Sequence, residues 1–404
     1  MKKGWLTSTF KGDRAIWALV ALFMIYSLLS VYSSSVSVAF TRHGGNTTYF
    51  LRSQFLMLAF GLVIIVVTHY LPYRIYSSLA GLFLLISIGL LVLTLLIGVR
   101  INEATRWIVI PGTGFTLQTS DVAKVALVIY LARALAQYQH ELNNFMLVTK
   151  YFMLPIAVVC GLILSENLST SMMIFGICMM ILFIGRVPFK YLMAYLGLAI
   201  AGVVLFALIL SVVSPNNNRV TVWKNRIEHY FTGKTSEDES FQSNQAKIAI
   251  STGGLFGKAP GKSTQRNMLP QSNSDFIFAI ITEEYGLFFG AIPLILAYMI
   301  LLFRGIAIAK KCETAFPAFL VLGLVIMIVV QAMLNMLVAV GLFPVTGQTL
   351  PMISWGRTSV LVISFSIGAI LSVSRVVNAR IKEEELPEEE RTDEGEKIYE
   401  PAKA

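Results

Sequence analysis

Long runs of apolar residues recur along the whole chain and constrain its fold more than any other feature. A helix needs about 20 mostly apolar residues to cross the ~30 Å hydrocarbon core of a bilayer. Ten runs meet this requirement, near residues 15–38, 51–70, 75–98, 120–138, 149–165, 168–185, 190–213, 276–303, 315–342 and 355–377. With 56% hydrophobic and only 14% charged residues, an ordinary water-soluble enzyme is excluded. The sequence predicts an all-α polytopic membrane protein of about ten transmembrane helices.

The basic residues are distributed unevenly between the loops that join these runs. If the N-terminus is cytoplasmic, the short loops on the outer side hold mainly Arg42, Arg52, Arg100 and Arg106. The cytoplasmic side then holds a much larger set: Lys2, Lys3, Lys11, Arg14, Arg74, Arg133, Lys150, Arg186, Lys190, Arg304, Lys310, Lys311, Arg375, Arg380 and Lys382. Because Lys and Arg concentrate in cytoplasmic loops, both termini are predicted to be cytoplasmic. The net charge of +9 therefore concerns topology, and no nucleic-acid partner is expected.

Two stretches depart from the pattern of short loops. Residues 214–274 form a polar connection of about 60 residues, predicted to lie on the outer face, and long connections of this kind are often functional. Within it we expect a short helix in 240–252 on the membrane surface. Residues 383–404 hold ten acidic and three basic residues and are predicted to form a disordered cytoplasmic tail. The chain thus divides into a membrane domain, 1–382, and an acidic tail, 383–404.

Ionisable side chains inside a span, or at its end, are costly to bury and are therefore candidates for function. Asp275 stands where the polar connection enters an apolar helix. It is either an N-terminal cap, which the helix dipole favours, or a base at the membrane–water boundary. Glu283 and Glu284 lie about two turns deeper. They are either structural ion-pair partners or part of the same site.

The basic candidates are fewer. Asp121 and Lys124 stand three residues apart, so they can contact each other on one helix face. They form either an internal ion pair or a site in which Lys124 holds an anionic group such as a pyrophosphate. Arg106 is a second phosphate candidate, on the outer side. The three cysteines and four histidines are scattered, so no metal site built from them is expected.

Proline and glycine are concentrated before the last apolar run, at Pro344, Gly347, Pro351 and Gly356. Irregular backbone at membrane depth is tolerated where it is buried in protein or lines a cavity. The stretch is therefore either a re-entrant turn that covers a site or an ordinary Pro-rich loop.

Four blocks of sequence stand out in order along the chain: residues 102–108 with 118–124, residues 242–262, residues 269–286 and residues 344–354. Together they resemble the SEDS family of peptidoglycan glycosyltransferases. The resemblance covers about residues 15–380. It implies a ten-helix membrane fold that polymerises lipid II on the outer face of the cytoplasmic membrane. Residues 261–266 are closer to the division (FtsW-like) branch than to the elongation (RodA-like) branch.

The resemblance also implies roles for individual residues in an inverting glycosyl transfer. Asp275 is the essential acid, placed to take the proton of the attacking sugar hydroxyl. Lys124, Arg106 and Arg357, or a divalent cation (Mg²⁺ or Mn²⁺), would stabilise the departing undecaprenyl pyrophosphate. Supporting roles fall to Asp121, Glu283, Glu284 and Ser354. The chain departs from the family pattern where Asn273 replaces a histidine, where Asn167 replaces an aspartate, and where Arg357 is added.

The same resemblance implies a position in the bacterial cytoplasmic membrane, at the division septum. Its implied partners are a class B penicillin-binding protein transpeptidase and other divisome membrane proteins. Three other interpretations remain open. A lipid II flippase or transporter would explain the spans and the buried charges equally well. The remaining two are an elongation polymerase and a scaffold that recruits a transpeptidase.

Overall fold

The structure is a computed structural model. It describes residues 11–36, 47–101, 104–110, 112, 115–213, 237–269 and 272–384. Residues 214–236 of the polar connection and 385–404 of the acidic tail lie outside this part of the chain. The prediction of a disordered tail at 383–404 therefore falls outside the described residues, except at 383 and 384, which belong to the last helix.

The helices follow the predicted spans closely. They are α1 (Arg14–Ser34), α2 (Thr47–Tyr70), α3 (Tyr73–Ile97), α4 (Thr119–Gln137), α5 (Phe145–Leu164), α6 (Leu168–Ile184), α7 (Phe189–Val213), α8 (Glu237–Gly253), α9 (Ile277–Gly286), α10 (Ile292–Lys310), α11 (Ala315–Ala339) and α12 (Arg357–Glu384). Within the described residues, seven stretches are long and apolar enough to cross a membrane, with α9 and α10 counted as one. α6 and part of α7 are shorter apolar helices, and three charged residues interrupt the apolar run of α4. The all-α polytopic prediction is confirmed.

Between α3 and α4 lies a small antiparallel sheet that the hydropathy pattern does not predict. Its order is β1-β2-β3, and Trp107 stands opposite Gln118. Its strands are β1 (Val99–Ile101), β2 (Ala104–Ile110) and β3 (Phe115–Gln118). Val, Ile and Thr are frequent in this segment, and these β-branched residues favour a pleated surface. Because β3 runs directly into α4, the sheet determines where α4 begins.

α9 and α10 form one predicted span that is interrupted at Gly286. Gly286 has φ +71° and ψ −169°, a combination that essentially only glycine adopts. A π turn, Leu287–Ala291, then restarts the helix. The break leaves main-chain groups without helical partners, and the segment 254–259, which follows α8, bonds to them. The bonds are Lys258 N to Glu283 O (2.9 Å), Ala259 N to Glu284 O (3.0 Å), Leu287 N to Gly254 O (3.0 Å) and Phe288 N to Leu255 O (3.0 Å).

Two glycines make this insertion possible. Gly257 has φ +81°, and a Cβ on it would lie 2.2 Å from the carbonyl oxygen of Glu284. A Cβ on Gly286 would lie 2.4 Å from the nitrogen of Gly257. The two backbones therefore approach more closely than any side chain allows.

The helix expected within 240–252 is present as α8 and is longer than predicted. Its last residue, Gly253, packs on α9, since a Cβ there would lie 2.2 Å from the Thr282 carbonyl oxygen. α8 and the segment after it are thus part of the packed bundle around α9. A position on the membrane surface stays a prediction.

Candidate active site

Asp275 lies at the entrance to α9 and is half-buried. α9 begins at Ile277 with Phe276 in the cap position, and Phe276 makes no side-chain capping bond. Asp275 therefore precedes the cap residue by one position. Because Asp275 is not the cap residue, its placement favours the second of the two interpretations, a base where the helix begins.

Three donors from other parts of the chain hold the backbone around Asp275. Asn335 Nδ2, on α11, donates to the carbonyl oxygen of Asp275 at 2.9 Å. Ser354 Oγ donates to the carbonyl oxygen of Ser274 at 2.6 Å. The Trp355 nitrogen donates to the carbonyl oxygen of Asn273 at 2.8 Å. We call these three bonds the backbone clamp. They fix the position from which the Asp275 side chain extends.

The stretch 344–356 supplies two of the three bonds of this clamp, and its central part is packed inside the protein. Leu350, Met352 and Ile353 are buried. Two carbonyl groups of this irregular segment accept hydrogen bonds from surrounding helices. Tyr298 Oη donates to Pro351 O (2.6 Å), and Ser27 Oγ donates to Ile353 O (2.9 Å). Of the two interpretations of this stretch, the buried turn fits the structure, because an ordinary surface loop would be solvated.

Asp121 and Lys124 form an internal ion pair on α4. Lys124 Nζ lies 3.0 Å from Asp121 Oδ1 and donates to Gln331 Oε1 on α11 at 2.6 Å. The Lys124 side chain is only 2% exposed. Gln331 in turn donates to the carbonyl oxygen of Thr349 at 2.9 Å. Lys124 is thus enclosed between neutral and acidic partners, and pyrophosphate binding by this residue stays a prediction.

A polar network joins this ion pair to the backbone clamp. Gln331 and Asn335 are one turn apart on α11, and Asn335 Nδ2 also donates to the Gln348 carbonyl oxygen at 2.7 Å. The Gln348 amide reaches Thr170 Oγ1 on α6 at 2.7 Å, and the side chain of Asn167 caps α6 through the Thr170 nitrogen at 3.2 Å. The residue that replaces the family's aspartate, Asn167, is therefore a helix cap in this chain.

Glu283 and Glu284 are fully buried and hold the loop that follows the inserted segment. Glu283 is 0% exposed and pairs with Lys258 Nζ at 2.7 Å. It also accepts from the Thr264 nitrogen at 3.1 Å and from the hydroxyl of Ser263. Glu284 accepts from the Ser33 hydroxyl on α1 and from Ser263 N (3.3 Å), and its Oε1 lies 4.0 Å from Arg266 Nη1. Of the two interpretations of these acids, the structural one fits this arrangement.

A family model for FtsW, RodA and SpoVE, described as "Cell cycle protein", matches residues 13–379. The chain belongs to the FtsW/RodA/SpoVE family. The resemblance seen in the sequence is thereby confirmed, over nearly all of the membrane domain.

Relatives of the FtsW/RodA/SpoVE family match this chain along its length. The probable peptidoglycan glycosyltransferase FtsW of Saccharophagus degradans is 32% identical over 381 residues, 92% of this chain and 94% of that protein. Stage V sporulation protein E of Bacillus subtilis is 31% identical over 373 residues, 90% of this chain and 97% of that protein.

Solved structures show the same fold. The crystal structure of the rod shape determining protein RodA of Thermus thermophilus has a TM-score of 0.63 at 25% identity, and the match covers 92% of this chain and 98% of that chain. A chain from a peptidoglycan synthase complex, studied for the coordination of polymerization and crosslinking, has a TM-score of 0.69 at 24% identity. That match covers 90% of this chain and 98% of the other.

The two remaining basic candidates are Arg357, which follows the clamp in the sequence, and Arg106. Arg357 is the first residue of α12 and is half-buried. The next residue, Thr358, accepts from the Gln118 nitrogen at 3.1 Å and donates to the Thr116 carbonyl oxygen at 2.8 Å. These bonds join α12 to β3, and β3 pairs with β2, which carries Arg106. The side chain of Arg106 lies outside the described residues, so its direction stays a prediction.

The neutral polar residues of α11, Gln331 and Asn335, are not among the residues predicted from the sequence. An amide in an apolar span needs a partner just as an ionisable group does. Their spacing of four residues puts both on one helix face, and this was the available signal.

A divalent cation at this site stays a prediction. Mg²⁺ is usually bound by one or two carboxylates together with substrate phosphates. The described residues contain no group of three or more His, Cys, Asp or Glu side chains that could hold a metal by themselves. The amide of Asn335 and the hydroxyl of Ser354 donate to main-chain carbonyl groups beside the Asp275 side chain. No catalytic step is assigned to a cation.

Proposed function

We propose that this chain is a peptidoglycan glycosyltransferase that polymerises lipid II on the outer face of the cytoplasmic membrane. One observation carries the proposal: Asp275 is half-buried at the mouth of a buried polar network, and the backbone clamp holds its main chain. The names of the relatives support the same activity, since several of them are named probable peptidoglycan glycosyltransferase FtsW.

The reaction is a displacement at an anomeric carbon. A sugar hydroxyl of one lipid-linked chain attacks that carbon, and a new C–O bond forms with inversion. The bond to the pyrophosphate breaks, and undecaprenyl pyrophosphate leaves with the electron pair. Asp275 takes the proton of the attacking hydroxyl. A positioned base of this kind contributes about 10²–10⁴-fold to the rate.

The clamp explains how a base on an irregular segment keeps its position. A general base must lie within hydrogen-bond reach of the proton that it removes, and a displacement of ~1 Å can cost about 10²-fold in rate. Residues 273–275 lie outside a regular helix, so their own hydrogen bonds do not fix them. Asn335, Ser354 and Trp355 supply that restraint from two other parts of the chain.

The leaving pyrophosphate needs positive charge close to it. Arg357, at the start of α12, and Arg106, on β2, are the candidates for direct contact. Lys124 is enclosed by Asp121 and Gln331, so in this arrangement its role is to order the polar network. Contact between Lys124 and phosphate would require the ion pair to open.

The decisive experiment compares Asp275→Asn with the unaltered protein in a lipid II polymerisation assay. We expect polymer formation to fall at least ~10²-fold while the thermal unfolding midpoint stays unchanged. Glu141→Gln is the matched control, because it removes an exposed carboxylate from the loop after α4, outside the candidate site. Polymer formation at the normal rate by Asp275→Asn would refute the assignment. Movement of lipid II across a vesicle bilayer without polymer would instead support a flippase.

We further propose that the chain acts in cell division, at the septum, with both termini in the cytoplasm. A class B penicillin-binding protein transpeptidase is its proposed partner, together with other divisome membrane proteins. The FtsW names of the relatives support the division branch, and the similar chain in a peptidoglycan synthase complex supports a transpeptidase partner. Depletion of the protein should block septation, and cells that lose their rod shape while still dividing would indicate the elongation branch.

A further inference from the structure

A cavity of about 980 Å³ opens at the end of the bundle where α12 finishes. Its walls are the start of α3, the end of α4, the connection between α10 and α11, and the last turns of α12. Along α12 the rise of a helix puts Arg380, in this cavity, about 35 Å from Arg357, near the clamp. The cavity is therefore separate from the candidate active site.

The lining of this cavity is strongly basic. One carboxylate, Glu313, faces it and pairs with Arg380. Arg133 donates to the Ser77 carbonyl oxygen at 2.8 Å, a neutral partner that leaves its charge in place. The four basic side chains that line the cavity are Arg74, Arg133, Lys311 and Arg380. We call this cavity the basic vestibule. A concave surface with an excess of positive charge concentrates anions.

We propose that the acidic segment 385–404 of this chain docks in the basic vestibule. The segment holds eight acidic and three basic residues. α12 ends at Glu384, four residues after Arg380, so the segment begins beside the surface that it would bind. An extended chain covers about 3.3–3.6 Å per residue, and a few residues therefore suffice to reach back into the cavity.

Size and attachment both favour this occupant. The volume is at the upper end of the ~300–1,000 Å³ usual for ligand sites, which suits several side chains better than a single small ion. A short flexible attachment gives an effective concentration in the millimolar range. Carboxylates also form two parallel bonds with a guanidinium group, and three of the four basic side chains are arginines. An anionic lipid headgroup carries similar charge but lacks the attachment.

A crosslinking experiment on the full chain, in nanodiscs of zwitterionic lipid, tests the proposal. Gln139→Cys places a thiol in the vestibule lining, and Glu389→Cys places one in the acidic segment. Cys312, which also lines the vestibule, is replaced by Cys312→Ala, although burial already raises the pKa of its thiol to about 12. The yield of intramolecular crosslink with a short bis-maleimide is the readout.

The matched control moves the first thiol by four residues. Asn143→Cys lies in the same connection between α4 and α5 and is exposed like Gln139, but it does not line the vestibule. We expect a crosslink yield several-fold higher from Gln139→Cys than from Asn143→Cys. Substituting Glu385, Glu388 and Glu390 by Gln should bring the yield close to that of the control.

The dependence of the crosslink yield on salt concentration tests the contact between the acidic segment and the basic vestibule independently. Raising the ionic strength from about 0.1 M to about 1 M shortens the Debye length from ~10 Å to ~3 Å and should lower the crosslink yield. Equal yields from the two thiol positions would overturn the proposal, and so would a yield that neither salt nor the glutamine substitutions change. Anionic lipid that copurifies with the chain and is released by Arg74→Gln, with crosslinking at the control level, would assign the vestibule to a lipid headgroup instead.

Discussion

The contact between Gly257 and the broken span gives a sharp test of how this bundle is held together. In Gly257→Ala the new Cβ would lie 2.2 Å from the carbonyl oxygen of Glu284 and 2.5 Å from its carbonyl carbon. Both atoms belong to the main chain and have no freedom to rotate away. The inserted segment 254–259 must therefore move off α9. Gly261→Ala is the matched control, since Gly261 has a similar φ of +77° but no heavy atom within 4 Å of the added Cβ.

The expected loss of folding stability follows from the contacts that each variant loses. Both pay the conformational cost of a non-glycine residue in the left-handed region, roughly 1–2 kcal/mol. In Gly257→Ala, movement of the segment also breaks the bonds from the nitrogens of Lys258 and Ala259 to the carbonyl groups of α9. A buried polar group left without a partner costs about 1–3 kcal/mol, so two lost bonds add roughly 2–6 kcal/mol. This extra loss is a large part of the total stability of an ordinary protein, about 5–15 kcal/mol.

Thermal unfolding of the two purified variants in one detergent measures the difference. Gly257→Ala should unfold at a clearly lower temperature than Gly261→Ala, whose midpoint should fall below that of the unaltered protein only by the backbone cost that both variants share. Limited proteolysis should also cut the segment 254–259 sooner in Gly257→Ala. Equal midpoints and equal cleavage rates in the two variants would refute the reasoning, because they would show that the close approach carries no energy beyond backbone strain.

Two further predictions concern the polar network. Asn335→Ala removes a donor of the backbone clamp, so kcat for lipid II polymerisation should fall about 10–10²-fold with little change in KM, because Asp275 loses its fixed position. The control is Ser366→Ala, a buried hydroxyl that bonds only within its own helix, and an equal loss of kcat there would contradict the role of the clamp. Lys124→Met should destabilise the protein by about 3–5 kcal/mol, since it leaves the Asp121 carboxylate buried without its cation. The double variant Asp121→Asn with Lys124→Met should regain most of that loss in thermal unfolding, and a double variant no more stable than the single one would exclude a buried ion pair.

The membrane architecture could be predicted because it depends on local composition alone. A run of about 20 apolar residues is costly anywhere except in a bilayer or a protein core, so each span is visible without knowledge of its neighbours. Asp275 was found for the same reason, as a charge at the end of an apolar helix. The sheet was missed because strands of three to seven residues give a weak pattern beside long apolar runs.

The partners in the site could not be predicted, because each is distant in the sequence. The break at Gly286 is stable only because the segment 254–259 bonds to it, and a hydropathy pattern carries no sign of that contact. The clamp joins Asp275 to Asn335, and the ion pair of α4 ends on Gln331 of α11. Glu283 and Glu284 are visible in the sequence as buried charges, but their basic partners, Lys258 and Arg266, lie in the connection between α8 and α9 rather than on a neighbouring span.

The break in the eighth span also bears on how the protein is made. The groups that satisfy the broken backbone, at Gly254, Leu255, Lys258 and Ala259, precede the groups that they bond at 283–288 in the chain. During synthesis from the N-terminus the partner segment therefore emerges before the span that needs it. The contacts link positions 25 to 33 residues apart, a short separation that favours rapid closure. A span that would be unstable by itself in a bilayer thus enters the membrane with its missing hydrogen-bond partners already synthesised.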